Sequence, residues 1–339
     1  MYNGDMQFRT VTFTAPRRVE VREDSLPALG ADDVLVETIC SAISAGTEML
    51  VYRGQFPQDM NSVDRISSRL HYPTAYGYAC VGRVIELGSH VDPKWAGRLI
   101  FSFHPHASHF ITTADCLILI PENISPETAC FLPNMETAVN LVQDAAPILG
   151  ERVLVLGQGI IGLLTSSLLS KFPLEMLITA DHFETRRKAS LKSGAKLSLD
   201  SSTSNFREQT KTILKSGADL TLELSGSPSA LDDAIALTCF SGRIVIGSWY
   251  GEKRAPIDLG HTFHHSRIKM ISSQVSTIAP ELSARWDKSR RFEVAWDALK
   301  RIQPEKWTTH RFPISHAADA YRLLDEHPQE AIQVIFNYT

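Results

Sequence analysis

The 339-residue sequence has few cysteines and no marked excess of charge of either sign. Its five cysteines are odd in number, scattered and never spaced as Cys-x-x-Cys: Cys40, Cys80, Cys116, Cys130 and Cys239. A disulfide framework or a zinc ribbon would require paired, regular spacing. The 34 Lys and Arg residues against 38 Asp and Glu give a formal net charge of −4, and no basic block offers affinity for phosphate backbones. These absences exclude a disulfide-rich module and argue against a nucleic-acid partner.

Long hydrophobic runs are also missing. The first ten residues, MYNGDMQFRT, lack the charged and apolar regions of a signal peptide. The longest apolar stretch, Val153 to Leu169, is interrupted by Gly157, Gln158, Gly159 and Gly162. It falls short of the roughly 20 apolar residues that a membrane span needs. We therefore expect a reduced, cytoplasmic protein that does not associate with membranes.

The chain changes its pattern near residue 130. Before that point, short apolar runs bounded by Gly, Pro, Asp and Ser predict strands at Val34–Ile39, Val81–Glu86, Leu99–Phe103 and Cys116–Ile120. From about Pro133 onward, predicted strands and helices alternate, with strands at Val153–Leu156, Leu177–Ala180, Leu220–Leu224 and Ile244–Ile246 and helices at Glu136–Ala145, Glu184–Ser193 and Pro228–Thr238. This alternation predicts an α/β fold with a parallel sheet that helices cover on both faces.

The carboxyl-terminal part returns to mixed elements. Its pattern predicts a helix at Ala284–Ile302, a strand at Trp307–Phe312, a helix at Ala317–Glu326 and a strand at Ala331–Phe336. The α/β middle is thus flanked by two segments that we expect to form one discontinuous domain.

The strongest local motif is VLVLGQGIIGLL, in which Gly157, Gly159 and Gly162 have the G-x-G-x-x-G spacing. The motif follows an apolar strand and opens an apolar helix, as it does in dinucleotide-binding folds. We expect Gly157 to permit the tight turn, Gly159 the approach of a pyrophosphate, and Gly162 a close helix–strand contact. Ile160 and Ile161, between the last two glycines, are further candidates for contact with the cofactor. A glycine turn without a ligand is the alternative.

A second strand pattern ends at Asp181, 19 residues after Gly162. An acidic side chain at this place can accept hydrogen bonds from the ribose hydroxyls and repels a 2′-phosphate, which favours NAD. Arg186 and Arg187 follow within a turn and leave NADP possible, because arginines can accommodate the extra phosphate. Asp181 could instead cap the next helix.

With these motifs in order, the whole chain resembles the medium-chain dehydrogenase/reductase superfamily of zinc alcohol dehydrogenases and quinone reductases. ISAGTEM (43–49) resembles its C-G-T-D segment, and YPTAYGYACVGRVIELG (72–88) resembles its P-x-x-x-G-H-E-x-x-G-x-V-x-x-x-G segment. ETAVN (136–140), ELSGSPSAL (223–231) and THRFPISHAADAYRLLDE (309–326) resemble later segments. The resemblance implies a GroES-like catalytic domain from residues 1–130 and 279–339, and a Rossmann-type doubly wound cofactor domain from residues 131–278.

The sequence departs from this family at the catalytic zinc. Ala45 stands at the position of the cysteine ligand, Tyr78 at that of the histidine, and Pro133 near that of the third ligand. Catalytic zinc needs three N, S or O side chains, so we expect a zinc-free protein that most resembles the group around bacteriochlorophyllide hydroxyethyl dehydrogenase. His104 and His106 would share a face of an extended segment, but two such histidines alone seldom hold zinc.

The resemblance also implies which side chains surround the reaction. The catalytic candidates are Thr47, Tyr78, His104 and Glu136, and the candidates for the substrate pocket are Glu48, Phe103 and Asn134. Each catalytic candidate has an alternative role. Thr47 could cap the helix that follows it, Tyr78 could fill the volume of the lost metal, and His104 could only pack. Glu136 could be a base, or could orient His104 or Tyr78. On the cofactor side, the resemblance implies contacts from Thr137, Gly226, Gly247 and Ser248, with backbone groups of Gly247 and Ser248 exposed to the carboxamide.

The sequence favours a zinc-independent, NAD-dependent dehydrogenase that interconverts an alcohol and a carbonyl of a small molecule, acting as a homodimer. Reduction of a polarised C=C bond, as in enoyl and quinone reductases, is the first alternative. A dinucleotide-binding protein without catalysis is the second. Acid–base side chains in the pocket favour the carbonyl chemistry, because a full proton must be relayed.

Overall fold

A computed structural model describes residues 6–57 and 71–338. The chain divides into two compact units, which are residues 1–133 with 299–339 and residues 134–298. The corresponding boundaries predicted from the sequence are 130/131 and 278/279. Residues 279–298 group with the second unit, and Arg291 of this segment is hydrogen bonded to Glu136 and Asn140.

The first unit is built mainly from antiparallel strands. In the described residues these are β1 (Gln7–Ala15), β2 (Arg18–Ser25), β3 (Asp33–Ala42), β4 (Thr74–Ala75), β5 (Cys80–Leu87), β6 (Leu99–Ser102), β7 (His109–Thr113) and β8 (Ile118–Leu119), followed near the carboxyl terminus by β15 (Thr308–Pro313) and β16 (Gln333–Asn337). The helices are α1 (Thr47–Arg53), α2 (Pro126–Ala129) and α9 (Ala317–Glu326). The β1–β2 hairpin is an element that the sequence analysis did not predict.

Strand pairing joins the two ends of the chain within this unit. One sheet has the order β2-β1-β4, and the other has the order β15-β16-β3-β5-β6-β8, with β7 also paired to β3. β16 pairs antiparallel with the end of β3, through Ile335 with Ala42 and Phe336 with Ser41. A buried cluster that includes Phe13, Leu50, Tyr321 and Phe336 packs α1 and α9 against these strands.

The second unit alternates strands and helices. The strands are β9 (Arg152–Leu156), β10 (Met176–Asp181), β11 (Leu197–Asp200), β12 (Ala218–Glu223), β13 (Thr238–Ile246) and β14 (Lys269–Ser272). The helices are α3 (Leu132–Ala145), α4 (Ile160–Leu169), α5 (Glu184–Lys192), α6 (Phe206–Leu214), α7 (Ala230–Leu237) and α8 (Lys288–Ile302). α3 and α8 contain the two points at which the chain passes from one unit to the other.

The sheet of this unit is parallel throughout, in the order β11-β10-β9-β12-β13-β14. This is the doubly wound order of dinucleotide-binding folds, in which the switch point lies between β9 and β12. Two buried clusters, one on each face, hold the helices to the sheet and include Leu154 and Ile178 on one face and Val153 and Leu222 on the other. The loops at the carboxyl ends of these strands therefore contain the cofactor candidates.

Across the described residues, every helix is too short or too polar to span a bilayer.

Candidate functional site

The glycine motif forms the turn between β9 and α4. Gly157 has φ +90°, a conformation that favours glycine, and a Cβ there would lie 2.5 Å from Ser225 Cα. A Cβ on Gly162 would lie 2.0 Å from Gly157 O, so the first turn of α4 packs directly on the loop. Gly159 caps α4 without a side-chain bond, and the space beside it is open except for Arg186 Nη1 at 4.0 Å. This cradle fits a pyrophosphate at a helix amino terminus.

Asp181 is the last residue of β10 and is almost completely buried. Its Oδ2 accepts a hydrogen bond from Gln158 N at 2.7 Å, and its Oδ1 accepts one from Phe183 N at 2.8 Å. The carboxylate thus ties the glycine loop to the turn before α5. The residue that caps α5 is Phe183, so Asp181 does not take the capping role that the sequence left open.

The two arginines that follow Asp181 differ in their surroundings. Arg187 donates to Asp181 O and His182 O and forms an ion pair with Asp200, so it is held by its own unit. The guanidinium of Arg186 lies over the Phe183 ring, 4.8 Å from its centroid, and faces Gly159. Burial lowers the pKa of Arg186, while the charge of Asp181 acts in the opposite direction. Of the two arginines, Arg186 is the one beside the glycine cradle.

The loops after β12 and β13 are joined by Glu223. This fully buried carboxylate accepts hydrogen bonds from Ser225 and from the Tyr250 hydroxyl, and its backbone oxygen accepts from Gly247 N and Ser248 N. Gly226 N donates to Ser248 Oγ. Backbone groups of Gly247 and Ser248 are predicted to face a carboxamide, and their N–H groups are occupied within the unit. Glu223 and Tyr250 organise this edge of the sheet, and the strand-end position of Glu223 was the signal available in the sequence.

In the first unit, Thr47 and Tyr78 come together. Thr47 is the first residue of α1, whose cap is Gly46, so Thr47 does not cap the helix. The Ser44 and Thr47 side chains lie close enough to the Tyr78 hydroxyl to lower its pKa by hydrogen bonding. Burial raises the pKa of Tyr78, and this effect outweighs the lowering by the bond to Ser44. Tyr78 is therefore a neutral phenol at the position where the superfamily has a zinc-ligating histidine.

Glu48 lies behind these hydroxyls and is fully buried. Its Oε1 accepts a hydrogen bond from Ser44 N at 2.8 Å, and its Oε2 accepts from His106 Nε2 at 2.9 Å and from the Tyr321 hydroxyl at 2.6 Å. Glu48 is predicted to line the substrate pocket, but both of its oxygens are engaged inside this unit.

His104 and His106 do not share a face of an extended strand, because β6 ends at Ser102. His106 is fully buried. The His104 ring stacks on Phe110 at 4.1 Å, and its Nδ1 donates to Pro105 O at 2.9 Å. Burial lowers the pKa of His104, which this hydrogen bond opposes. In the neutral ring Nε2 is then an acceptor. Phe103 beside it is 40% exposed and lies edge-on to Phe101.

Glu136, Thr137 and Asn134 lie on α3. Asn134 is buried and Thr137 is half-buried, one helical turn apart. The Glu136 carboxylate is buried, and its Oε1 accepts from Nε and Nη2 of Arg291 at 3.0 and 2.7 Å, with Lys288 Nζ also at 3.0 Å. Glu136 is thus held by two cations of α8, a partnership that the sequence did not reveal. The base role and the orientation of His104 or Tyr78 both lose support from this pairing.

The donor set in the first unit does not fit a catalytic zinc. The Ala45 methyl group and the Pro133 ring have no ligating side-chain atom, and the Tyr78 hydroxyl is bonded to Ser44 and Thr47. Both nitrogens of His106 are bonded to protein groups. In the part of the chain that the structure describes, no three His, Cys, Asp or Glu side chains form a group that could hold a metal ion.

The amino-acid sequence of the chain is similar to those of known dehydrogenases. The family model of zinc-binding dehydrogenases matches residues 161–292. D-Guloside 3-dehydrogenase of Escherichia coli K12 is 24% identical over 340 residues, which cover 95% of this chain and 97% of that protein.

The fold is also similar to those of solved dehydrogenase structures. An alcohol dehydrogenase from Escherichia coli CFT073, complexed with NADH, has a TM-score of 0.79 at 20% identity and covers 98% of this chain and 99% of its own. The 2R,3R-butanediol dehydrogenase of Bacillus subtilis has a TM-score of 0.79 at 16% identity, with coverage of 98% and 100%. The predicted α/β fold, a GroES-like domain with a Rossmann-type domain, is confirmed. The chain is thus similar, over nearly its whole length, to NAD(P)-dependent oxidoreductases of the medium-chain dehydrogenase/reductase type, and it has their fold.

Proposed function

We propose that this protein is a zinc-independent, NAD-dependent dehydrogenase that interconverts a small secondary alcohol and its ketone, with Tyr78 as the hydrogen-bond donor to the substrate oxygen. The observation that carries the proposal is the hydroxyl cluster of Tyr78, Ser44 and Thr47, at the position where zinc-dependent relatives have a metal ligand. D-Guloside 3-dehydrogenase, by its name, acts at a sugar carbon, which supports a secondary alcohol. The relative complexed with NADH supports the cofactor class.

The cofactor would be held by the second unit. Gly157, Gly159 and Gly162 would hold the pyrophosphate, and Asp181 would accept from the ribose hydroxyls. When bound, nicotinamide supplies the acceptor or donor of the hydride. Arg186 beside Gly159 would neutralise phosphate charge. Because Asp181 already binds Gln158 N, cofactor binding and the shape of the loop depend on the same carboxylate.

The chain's own acid–base groups lie in the first unit. A neutral Tyr78 donates its proton to an oxygen that develops negative charge, and the hydroxyls of Ser44 and Thr47 support the phenolate that results. Alcohol oxidation runs the same step in reverse, so the Tyr78 phenolate takes the alcohol proton. With Nδ1 bonded to Pro105 O, neutral His104 leaves Nε2 as an acceptor through which that proton would pass to solvent, and in reduction it would return by the same route.

The test is turnover of the full chain with NAD⁺ or NADH on a panel of alcohols, ketones, enones and quinones. We expect alcohol–ketone turnover, and Tyr78→Phe should lower kcat about 10²–10³-fold while leaving the NADH Kd unchanged. Tyr76→Phe is the matched control, because it removes a phenol oxygen two residues away. Turnover only of enones or quinones, or equal activity of the two variants, would reject the proposal.

A further inference from the structure

Behind Tyr78, the first unit contains a continuous line of hydrogen-bonded buried side chains that the proposed chemistry does not use. The Tyr338 hydroxyl lies 2.6 Å from Ser41 Oγ, and Ser41 Oγ lies 2.7 Å from His106 Nδ1. His106 Nε2 lies 2.9 Å from Glu48 Oε2, which also accepts from Tyr321 at 2.6 Å. Ser41, His106, Glu48 and Tyr321 have no exposed surface.

The donors and acceptors of this network are matched. The Glu48 carboxylate can only accept, so His106 Nε2 donates to it, and the other ring nitrogen is bonded to the Ser41 hydroxyl. Ser41 in turn is bonded to the Tyr338 hydroxyl. A buried polar network in which every member is satisfied fixes the positions of its side chains. The network is therefore rigid at Glu48.

Two contacts connect this rigid network to Tyr78. Glu48 Oε1 holds Ser44 N at 2.8 Å, and the Ser44 side chain bonds the Tyr78 hydroxyl. The His106 ring also occupies the space beside Gly77, where a Cβ would lie 2.6 Å from Cδ2 and 2.7 Å from Nε2. Gly77 has φ +128° and directly precedes Tyr78. His106 thus touches the backbone before Tyr78 and, through Glu48 and Ser44, reaches its hydroxyl.

We propose that His106 is a positioning residue for Tyr78, which holds the phenol hydroxyl in its donating orientation through Glu48 and Gly77. The proposal rests on the proposed function, since it assigns a role to the same hydroxyl. A misplacement of about 1 Å in a reacting group can cost about 10²-fold in rate. The charge of Glu48 also helps to keep the phenol protonated, since it adds to the effect of burial in raising the pKa of Tyr78.

The experiment compares two amide replacements that reproduce different ring nitrogens. The side-chain amide of His106→Gln reaches the place of Nε2 and can donate to Glu48, whereas that of His106→Asn reaches only the place of Nδ1. We expect His106→Asn to lower kcat 10- to 100-fold with little change in KM, and His106→Gln to retain at least a third of wild-type kcat. His109→Asn, the same change three residues away, is the control.

If His106 only stabilises the fold, the outcome differs. His106→Asn and His106→Gln would then lower the thermal midpoint of unfolding equally, and the kcat per folded molecule would stay within twofold of wild type. The decisive readout is His106→Asn in the Tyr78→Phe background. There it should lower kcat no further, because the hydroxyl that it positions is absent. Additive losses would overturn the proposal. If His106→Asn does not fold, Glu48→Gln is used in its place, in the wild-type and Tyr78→Phe backgrounds. The losses of kcat should again be non-additive.

These outcomes separate the two proposals. Full turnover of Tyr78→Phe would reject the proposed function. A slow Tyr78→Phe together with an unimpaired His106→Asn would reject only the role of His106.

Discussion

Replacement of Arg291 by methionine should destabilise the protein by about 3–5 kcal/mol. The Arg291 side chain has no exposed surface. Its guanidinium donates twice to Glu136 Oε1, once to Asn140 Oδ1 at 2.6 Å, and also to the backbone oxygens of Val275 and Thr277. Methionine matches much of the volume of arginine but has no hydrogen-bond donor. The buried Glu136 carboxylate, the Asn140 side-chain oxygen and two backbone oxygens therefore lose the bonds that Arg291 donates.

The expected magnitude follows from what remains around Glu136. Lys288 Nζ lies 3.0 Å from the same Oε1, but its side chain is 46% exposed and solvent weakens its attraction. Lys288 therefore offsets part of the attraction that Glu136 loses. We expect the free energy of unfolding to fall by about 3 kcal/mol, the lower end of the range. Arg301→Met, an exposed change on the same helix α8, should cost less than about 0.5 kcal/mol.

The assay is urea unfolding of the full chain, followed by circular dichroism at constant protein concentration. A double variant, Arg291→Met with Glu136→Leu, also removes the carboxylate charge that Arg291→Met leaves poorly paired. It should recover part of the lost free energy of unfolding. A loss for Arg291→Met below about 1 kcal/mol, or no recovery in the double variant, would refute the reasoning. If the Glu136 carboxylate is structural, Glu136→Gln should also keep its kcat per folded molecule.

Three further predictions concern the cofactor and the acid–base groups. Gly162→Ala should abolish NADH binding in a fluorescence titration, because its Cβ would lie 2.0 Å from Gly157 O; wild-type affinity would contradict the tight packing of α4 on the loop. Asp181→Ala should weaken NADH binding by about 1–3 kcal/mol more than NADPH binding, because the lost support of the loop affects both cofactors and the lost ribose contact only NADH; equal losses for both would contradict the ribose contact. Burial lowers the pKa of His104, so kcat/KM for alcohol oxidation should be constant above about pH 6.5 and fall only below it. His104→Ala should lack that decline, and a decline centred above pH 7 in the wild type would contradict the effect of burial.

The features that the sequence predicted are those with local causes. The glycine spacing after an apolar strand predicted the β9–α4 turn, and the positive φ of Gly157 and the contact of Gly162 show why those positions have no side chain. The alternation of strands and helices predicted the parallel sheet. Helix α8 begins at Lys288 rather than at the predicted Ala284, since the residues before it form turns.

The features that it could not predict depend on residues far apart in the chain. Arg291 and Glu136 are 155 positions apart, and His106 and Glu48 are 58 apart. A pattern in one segment cannot show which buried cation or imidazole will meet a carboxylate of another. The N–H groups of Gly247 and Ser248 illustrate the same limit, since their acceptor is Glu223 O on a neighbouring strand.

The central claim is that Tyr78, and not a zinc ion, supplies the donor to the substrate oxygen. Its most direct test is the kcat of wild type and Tyr78→Phe on the identified alcohol–ketone pair, before and after exhaustive dialysis against a chelator, with zinc measured on the same samples. The account predicts that wild type keeps its full kcat without stoichiometric zinc, and that Tyr78→Phe is about 10²–10³-fold slower in both conditions. One zinc per chain that is lost together with activity and restores it on return, with Tyr78→Phe as active as wild type, would contradict it.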